Sequence, residues 1–171
     1  MTLNFDTGSP VTWVNPDCSK VPDERSREKE FCLKQPRYDP FTSNTAKIQN
    51  QALNLTYGRG SILGSYFTDD IRIGSVVAES ATFGVAAAST EHEVGIFGAG
   101  KSPEGYPPTV LETLVSQGKI NSHAFSVDLK SINETGQSKV VVDSATVVAD
   151  VSQPQARWCL AASTRRNTRV W

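Results

Sequence analysis

The 171-residue sequence predicts an all-β domain carrying one short helix. Ile48, Ala52, Leu53, Leu55 and Tyr57 approach a glycine-rich tip at Gly58-Arg59-Gly60-Ser61, and Ile62 to Ile73 leave it with partial alternation. That is the pattern of two strands joined at a turn. Val76 to Ala88 reads as a further strand pair whose small residues permit close packing. Helical spacing is read in one apolar stretch, at Val110, Leu111, Leu114 and Val115. Thr109 stands before it as cap, Glu112 follows Thr109 by three positions, and Gly118 ends it.

Composition bounds the function classes. The length suits the core of one domain, with a tail. A net charge of −1 gives no electrostatic case for nucleic acid, and no apolar run reaches the length of a membrane span. No signal peptide precedes Met1. Cys18 and Cys32 flank a charged, Pro-containing segment and can close a surface loop as a disulfide, which needs an oxidising compartment; Cys159 is left over. Asn54-Leu55-Thr56 and Asn133-Glu134-Thr135 fit the N-glycosylation pattern.

In chain order, Phe5-Asp6-Thr7-Gly8-Ser9 comes first. A carboxylate after a short apolar approach, followed by a hydroxyl residue and a glycine, suits an acid at the tip of a tight turn. The structural alternative is an Asx-type turn between strands. Val11, Trp13 and Val14 then read as a strand leaving the turn. Residues 18 to 37 read as a solvated loop, with room for a short helix over Asp23 to Phe31 capped by Asp23. From Val151 no periodicity survives.

Asp6-Thr7-Gly8-Ser9 with Trp13-Val14 resembles the catalytic loop of the amino-terminal lobe of pepsin-like aspartic proteases. Tyr57-Gly58-Arg59-Gly60-Ser61 resembles the tip of that family's flap, a hairpin that folds over substrate. Tyr38-Asp39-Pro40, Glu93-Val94-Gly95-Ile96-Phe97-Gly98-Ala99-Gly100 and Ile120 to Leu129 are similar to further family segments. The likeness runs from about Leu3 to Gln137 and fails beyond Ser138, which implies one lobe of the family's β-barrel over 1–138, shortened at both ends, and a divergent tail over 139–171. Strands lacking partners there would invite self-association.

The resemblance implies an aspartic-type endopeptidase acting on a peptide or protein substrate without a cofactor, secreted or at the cell surface. It places Asp6 as catalytic acid/base, with Thr7, Gly8, Ser9, Tyr57, Gly58 and Arg59 around the substrate. Asp143-Ser144-Ala145-Thr146 resembles the family's second catalytic loop, with Ala145 in place of glycine, so Asp143 is the candidate second acid. A homodimer in which two copies of Asp6 meet is another route to a pair. The non-enzyme alternative is a lobe that binds peptide without cutting it, or a gene-model fragment.

A rival motif overlaps one of these segments. Gly95 to Ser102 fits the phosphate-loop pattern G-x-x-x-x-G-K-[ST], and Val140-Val141-Val142-Asp143 resembles a magnesium-holding strand end. That motif needs a helix starting at Lys101-Ser102, and Pro103, Gly105, Pro107 and Pro108 oppose one. His92 and His123 stand singly, without partners at metal-ligand spacing, so no metal site is expected.

Overall fold

The computed structural model describes residues 1–128, 139–142, 145–150, 157–159 and 161–162. Among the described residues eleven strands form one sheet: β1 Thr2–Asp6, β2 Trp13–Val14, β3 Lys47–Thr56, β4 Ser61–Ile73, β5 Val76–Ser89, β6 Gly95–Gly98, β7 Phe125–Asp128, β8 Lys139–Val142, β9 Ala145–Asp150, β10 Arg157–Cys159 and β11 Ala161–Ala162. The order is β11-β4-β5-β2-β6-β1-β10-β9-β8-β7, with β3 paired to β4 outside that path. Among the described residues the sheet does not close on itself.

The predicted hairpin is β3 and β4, paired antiparallel from Thr56↔Ser61 back to Lys47↔Thr68. Val76 to Ala88 is not a strand pair, however. It is most of one long strand, β5, which runs antiparallel to β4 along nearly its whole length. Two register shifts against β4 and a positive φ of 49° at Ser80 bend it. A bent strand carries both buried and exposed runs, and those runs imitate two separate strands in a sequence.

β1 lies inside the sheet. β6 pairs with it in parallel and β10 antiparallel, through Thr2↔Cys159 and Leu3↔Trp158, so neither side of β1 is an open edge. The boundary expected at residue 138 falls between β7 and β8, which pair with each other.

Two apolar clusters hold the layers. The larger gathers Leu3, Val14, Tyr38, Ile73, Phe83 and Phe97 with Val110, Leu111 and Leu114 of α2 (Val110–Ser116). α2 begins as expected: the Thr109 hydroxyl accepts from Glu112 N, and the Glu112 carboxylate accepts from Thr109 N, at 3.0 and 2.8 Å. Gly118 follows at φ 65°. The smaller cluster packs Val11, Trp13, Leu53, Ile62, Tyr66, Ala86 and Ile96, with Leu55 and Tyr57 against it. Trp13 is fully buried, and each large side chain of this kind contributes about 1.5–3 kcal/mol.

Residues 18 to 37 are more ordered than a solvated loop. Turns at Cys18–Lys20 and Asp23–Arg25 lead into α1, Ser26–Lys34. The Cys18–Cys32 disulfide is formed, with both residues buried. Closing a loop of this size stabilises by about 3 kcal/mol in the chain-entropy account. Cys32 is the buried residue of α1, so the helix has no apolar stripe to show in the sequence. Asp23 does not cap it; its carboxylate takes Lys29 Nζ at 2.5 Å instead.

One buried carboxylate carries a full set of donors. Asp69, on β4, is 4% exposed and accepts from Tyr38 OH (2.9 Å), Ser43 Oγ (2.9 Å), Thr45 Oγ1 and Asp70 N (2.8 Å). Burial pushes its carboxyl up, but the bonds from Thr45, Ser43, Tyr38 and Asp70 outweigh that and bring it below 3.8. Burial also raises the Tyr38 phenol, and its bond to Asp69 adds to the rise, so the proton stays on the phenol. A carboxyl depressed on folding stabilises above its ordinary value and stops doing so as pH falls through the folded one. Asp69→Asn is therefore expected to lower unfolding free energy by about 1.5–3 kcal/mol at neutral pH. Urea titrations should show the gap from wild type narrowing below pH 3.8; an equal gap at every pH would contradict the ionised network.

Candidate active site

β1 ends at Asp6, and the chain reverses at once. Parallel pairing sets Asp6 opposite Gly98, and the Asp6 carbonyl accepts from Ala99 N at 2.8 Å. Asp6 Oδ1 accepts from Gly8 N at 2.8 Å, which makes the Asx turn that the residue order suggested. Ser9 is buried: its carbonyl accepts from Gly100 N at 3.0 Å, and its hydroxyl takes Val11 N at 3.4 Å. Thr7 and Gly8 are exposed at the tip.

The segment after the turn fits because β6 is thin there. A Cβ on Gly98 would sit 2.5 Å from the Pro10 carbonyl carbon and 2.6 Å from Val11 N. Gly98 N also donates to the Thr12 hydroxyl at 3.1 Å. No phosphate loop is formed by these residues. Gly95–Gly98 is a buried strand, Lys101 and Ser102 enter an irregular stretch, and the next helix starts only at Val110. Ser102 N, which a phosphate would need, donates to Glu112 Oε1 at 3.3 Å.

The hairpin tip comes to the turn through Tyr57. Its phenol oxygen accepts from Trp13 Nε1 at 3.1 Å and lies 3.4 Å from Ser9 Oγ. Burial pushes the phenol up; the bonds to Ser9 and Trp13 work against that rise, and the charge of Asp6 adds to it. Tyr57 therefore stays a neutral phenol at any working pH. The tip closes with Tyr57 N donating to Gly60 O at 3.0 Å. Gly60 has φ 74°, and a Cβ there would lie 2.0 Å from Thr90 O, so no larger residue fits. Gly58 is different: a Cβ on it would meet nothing within 4 Å. Arg59 reaches Glu91 Oε2 at 3.3 Å on the surface, a contact worth less than about 1 kcal/mol.

Asp6, Gly8, Ser9 and Tyr57 are thus brought together, with Gly58 and Arg59 beside them on the tip. Asp143 lies outside the described residues. A small apolar hollow is lined by Met1, Leu3, Tyr38, Ile71 and Phe83 among others, and neither Asp6 nor Tyr57 touches it. Among the described residues no group of three His, Cys, Asp or Glu side chains could hold a metal ion, and no helix is long and apolar enough to cross a membrane.

Three contributors were not read from the sequence. The Thr12 hydroxyl just before β2 and the Trp13 indole N–H within it have apolar neighbours that hide their polar use. His92, a lone histidine far along the chain, packs on both Trp13 and Tyr57. Only the fold makes them neighbours.

A family model described as eukaryotic aspartyl protease matches residues 1–151. The chain belongs to the eukaryotic aspartyl protease family. Mucorpepsin of Rhizomucor miehei is 32% identical, over 79% of this chain and 34% of its own length. Secreted aspartic protease 3 of Candida albicans is 29% identical, over 79% of this chain and 35% of its own. The chain spans about a third of the length of these curated relatives. In fold, it matches an aspartic proteinase from Irpex lacteus with a TM-score of 0.59 at 21% identity, over 95% of this chain and 40% of that one. For this aspartyl protease chain, Gly60→Ala tests how tightly the tip is set. Native-state hydrogen exchange should show the Ser61 and Thr90 amides exchanging about tenfold faster or more, for a local cost of about 1–3 kcal/mol, with Gly98 unchanged.

Proposed function

We propose that this chain supplies the Asp6 half of an aspartic-type endopeptidase site, which hydrolyses peptide bonds with a carboxylate-activated water. One observation carries this reading. Asp6 sits in an Asx turn clamped by β6, and the phenol of a hairpin tip reaches that turn through Ser9 and Trp13.

The chemistry needs two carboxylates about one water apart. Like charges that close share a proton. The ionised member takes a proton from the water as it attacks the scissile carbonyl, and the protonated member donates to the carbonyl oxygen. In Asp6, Oδ1 is held by Gly8 N–H, which leaves Oδ2 as the oxygen able to act on water. Tyr57 on the tip can screen the reacting centre from bulk water. Thr7, Gly58 and Arg59 line the approach for the substrate backbone.

The second acid has two candidate sources, Asp143 of the same chain or Asp6 of a second copy related by a twofold axis. The Cys18–Cys32 disulfide supports a secreted or cell-surface setting, since such bonds persist in oxidising compartments. A relative bears the name secreted aspartic protease.

The test is cleavage of a mixed peptide library at mildly acidic pH by wild type, Asp6→Asn and Asp143→Asn, with the mass of each species measured. Asp6→Asn is expected to lower the cleavage rate by about 10²–10⁴-fold or more. Cleavage that survives in Asp6→Asn would overturn the proposal. Loss in Asp143→Asn as well would make Asp143 the second acid, whereas full activity there with a dimer mass would give that role to the second copy. A folded wild type that binds peptides without cutting them would be a binding lobe.

A further inference from the structure

Among the described residues, one buried side-chain polar atom has no hydrogen-bond partner: His92 Nε2. The imidazole stands edge-on to Trp13 with ring centres 5.3 Å apart, and edge-on to Tyr57 at 5.4 Å. Those two rings are themselves joined by the indole-to-phenol hydrogen bond. Nε2 also lies against the hairpin tip, where a Cβ on Gly60 would be 3.0 Å from it. The segment carrying His92 is fastened to the same tip on either side. Thr90 N donates to Ser61 O, Ser61 N donates to Thr90 Oγ1, and Arg59 pairs with Glu91.

We propose that His92 is a pH-dependent positioning residue for the flap: neutral, it wedges Tyr57 and Gly60 against Trp13, and protonation at Nε2 loosens the tip. This rests on reading residues 57–60 as the flap of a peptidase. The ring already spends one bond on the Arg59 backbone, and a proton at Nε2 would lie beside the Trp13 and Tyr57 rings and the Gly60 backbone with no hydrogen-bond acceptor. A buried N⁺–H without an acceptor costs far more than a buried lone pair. The arrangement therefore stands only while the ring is neutral.

Charged groups from every neighbouring element bear on this. Glu93 and Glu91 favour the proton, and Arg25, from the turn before α1, opposes it. Both carboxylates are already engaged. Arg25 holds Glu93 Oε2 at 2.8 Å and donates to Glu91 O at 3.2 Å, while Arg59 takes the Glu91 carboxylate. Burial is the largest influence and carries the imidazole below its ordinary 6.5. For a histidine depressed on folding, the loosened form binds more protons. The wedge is then at full strength above pH 6.5 and weakens as pH falls toward the depressed value. Tyr57 remains protonated throughout that window.

The experiment is a nuclear magnetic resonance titration of the full chain from about pH 4 to 8, across the range where histidine changes charge. It follows the His92 ring, the Trp13 indole N–H, and the Gly60 and Gly98 amides. The Trp13 and Gly60 signals are expected to move with the His92 midpoint, and Gly98 to stay still. His92→Phe keeps an aromatic wedge and should lose that midpoint at Trp13 and Gly60. A His92 titration with Trp13 and Gly60 unmoved would overturn the proposal, as would the same midpoint persisting in His92→Phe. If the variant fails to fold, the shared midpoint in wild type decides alone. Peptide cleavage adds a second arm: KM should change through the His92 midpoint in wild type and lose that change in His92→Phe. Absence of cleavage in every sample counts against the peptidase reading, while the resonance data still decide the wedge.

Discussion

The candidate site depends on where Trp13 can sit. β2 is only two residues long, yet it pairs with β5 on one side and β6 on the other, so Trp13 is locked between two strands. That position requires absent side chains around it. A Cβ on Gly84 would be 3.1 Å from Trp13 Cβ and 2.5 Å from Leu53 Cδ2, and one on Gly95 would be 2.2 Å from Trp13 O. With those spaces open, the indole is fully buried and its N–H still reaches Tyr57. A buried indole N–H needs a partner, and taking the phenol oxygen fixes the hairpin relative to the Asp6 turn. The turn, the hairpin and the segment at His92 are all placed by reference to this one side chain.

Much of this was legible in the sequence because it is local. Asp6 to Gly8 makes its own turn, Thr109 and Glu112 make their own capping box, and Tyr57 to Gly60 closes its own tip. Each needs only residues within a few positions, and backbone chemistry writes such arrangements in short motifs. β5 was misread for a related reason. Its bend depends on register against β4 and on φ at Ser80, and neither leaves a pattern in residue types. The unit at α1 was underestimated because a disulfide, not an apolar face, anchors it.

The roles of Asp69, Glu93 and His92 were illegible because each depends on partners distant in sequence. Glu93 reads as one more residue of a segment similar to the family, yet it is held by Arg25 at 2.8 Å. Asp69 looks like one of two acids on an ordinary strand, yet it gathers hydroxyls from three other positions. A sequence shows that such groups exist, not that they are buried. Burial decides whether a carboxylate or imidazole is an ornament of the surface or a constraint on the interior.

Arg25 gives the Cys18–Cys32 bond a reach beyond its own segment. The guanidinium leaves the turn just ahead of α1, inside the span that the disulfide closes, and grips both Glu93 and the Glu91 carbonyl. Crosslinking that span removes conformational freedom that the arginine would otherwise lose on reaching the far loop. The far loop is the one bearing His92, against the hairpin tip. Covalent chemistry at one margin of the molecule is thereby coupled, through a single cation, to the entropy of the segment packed against Gly60 and Ser61.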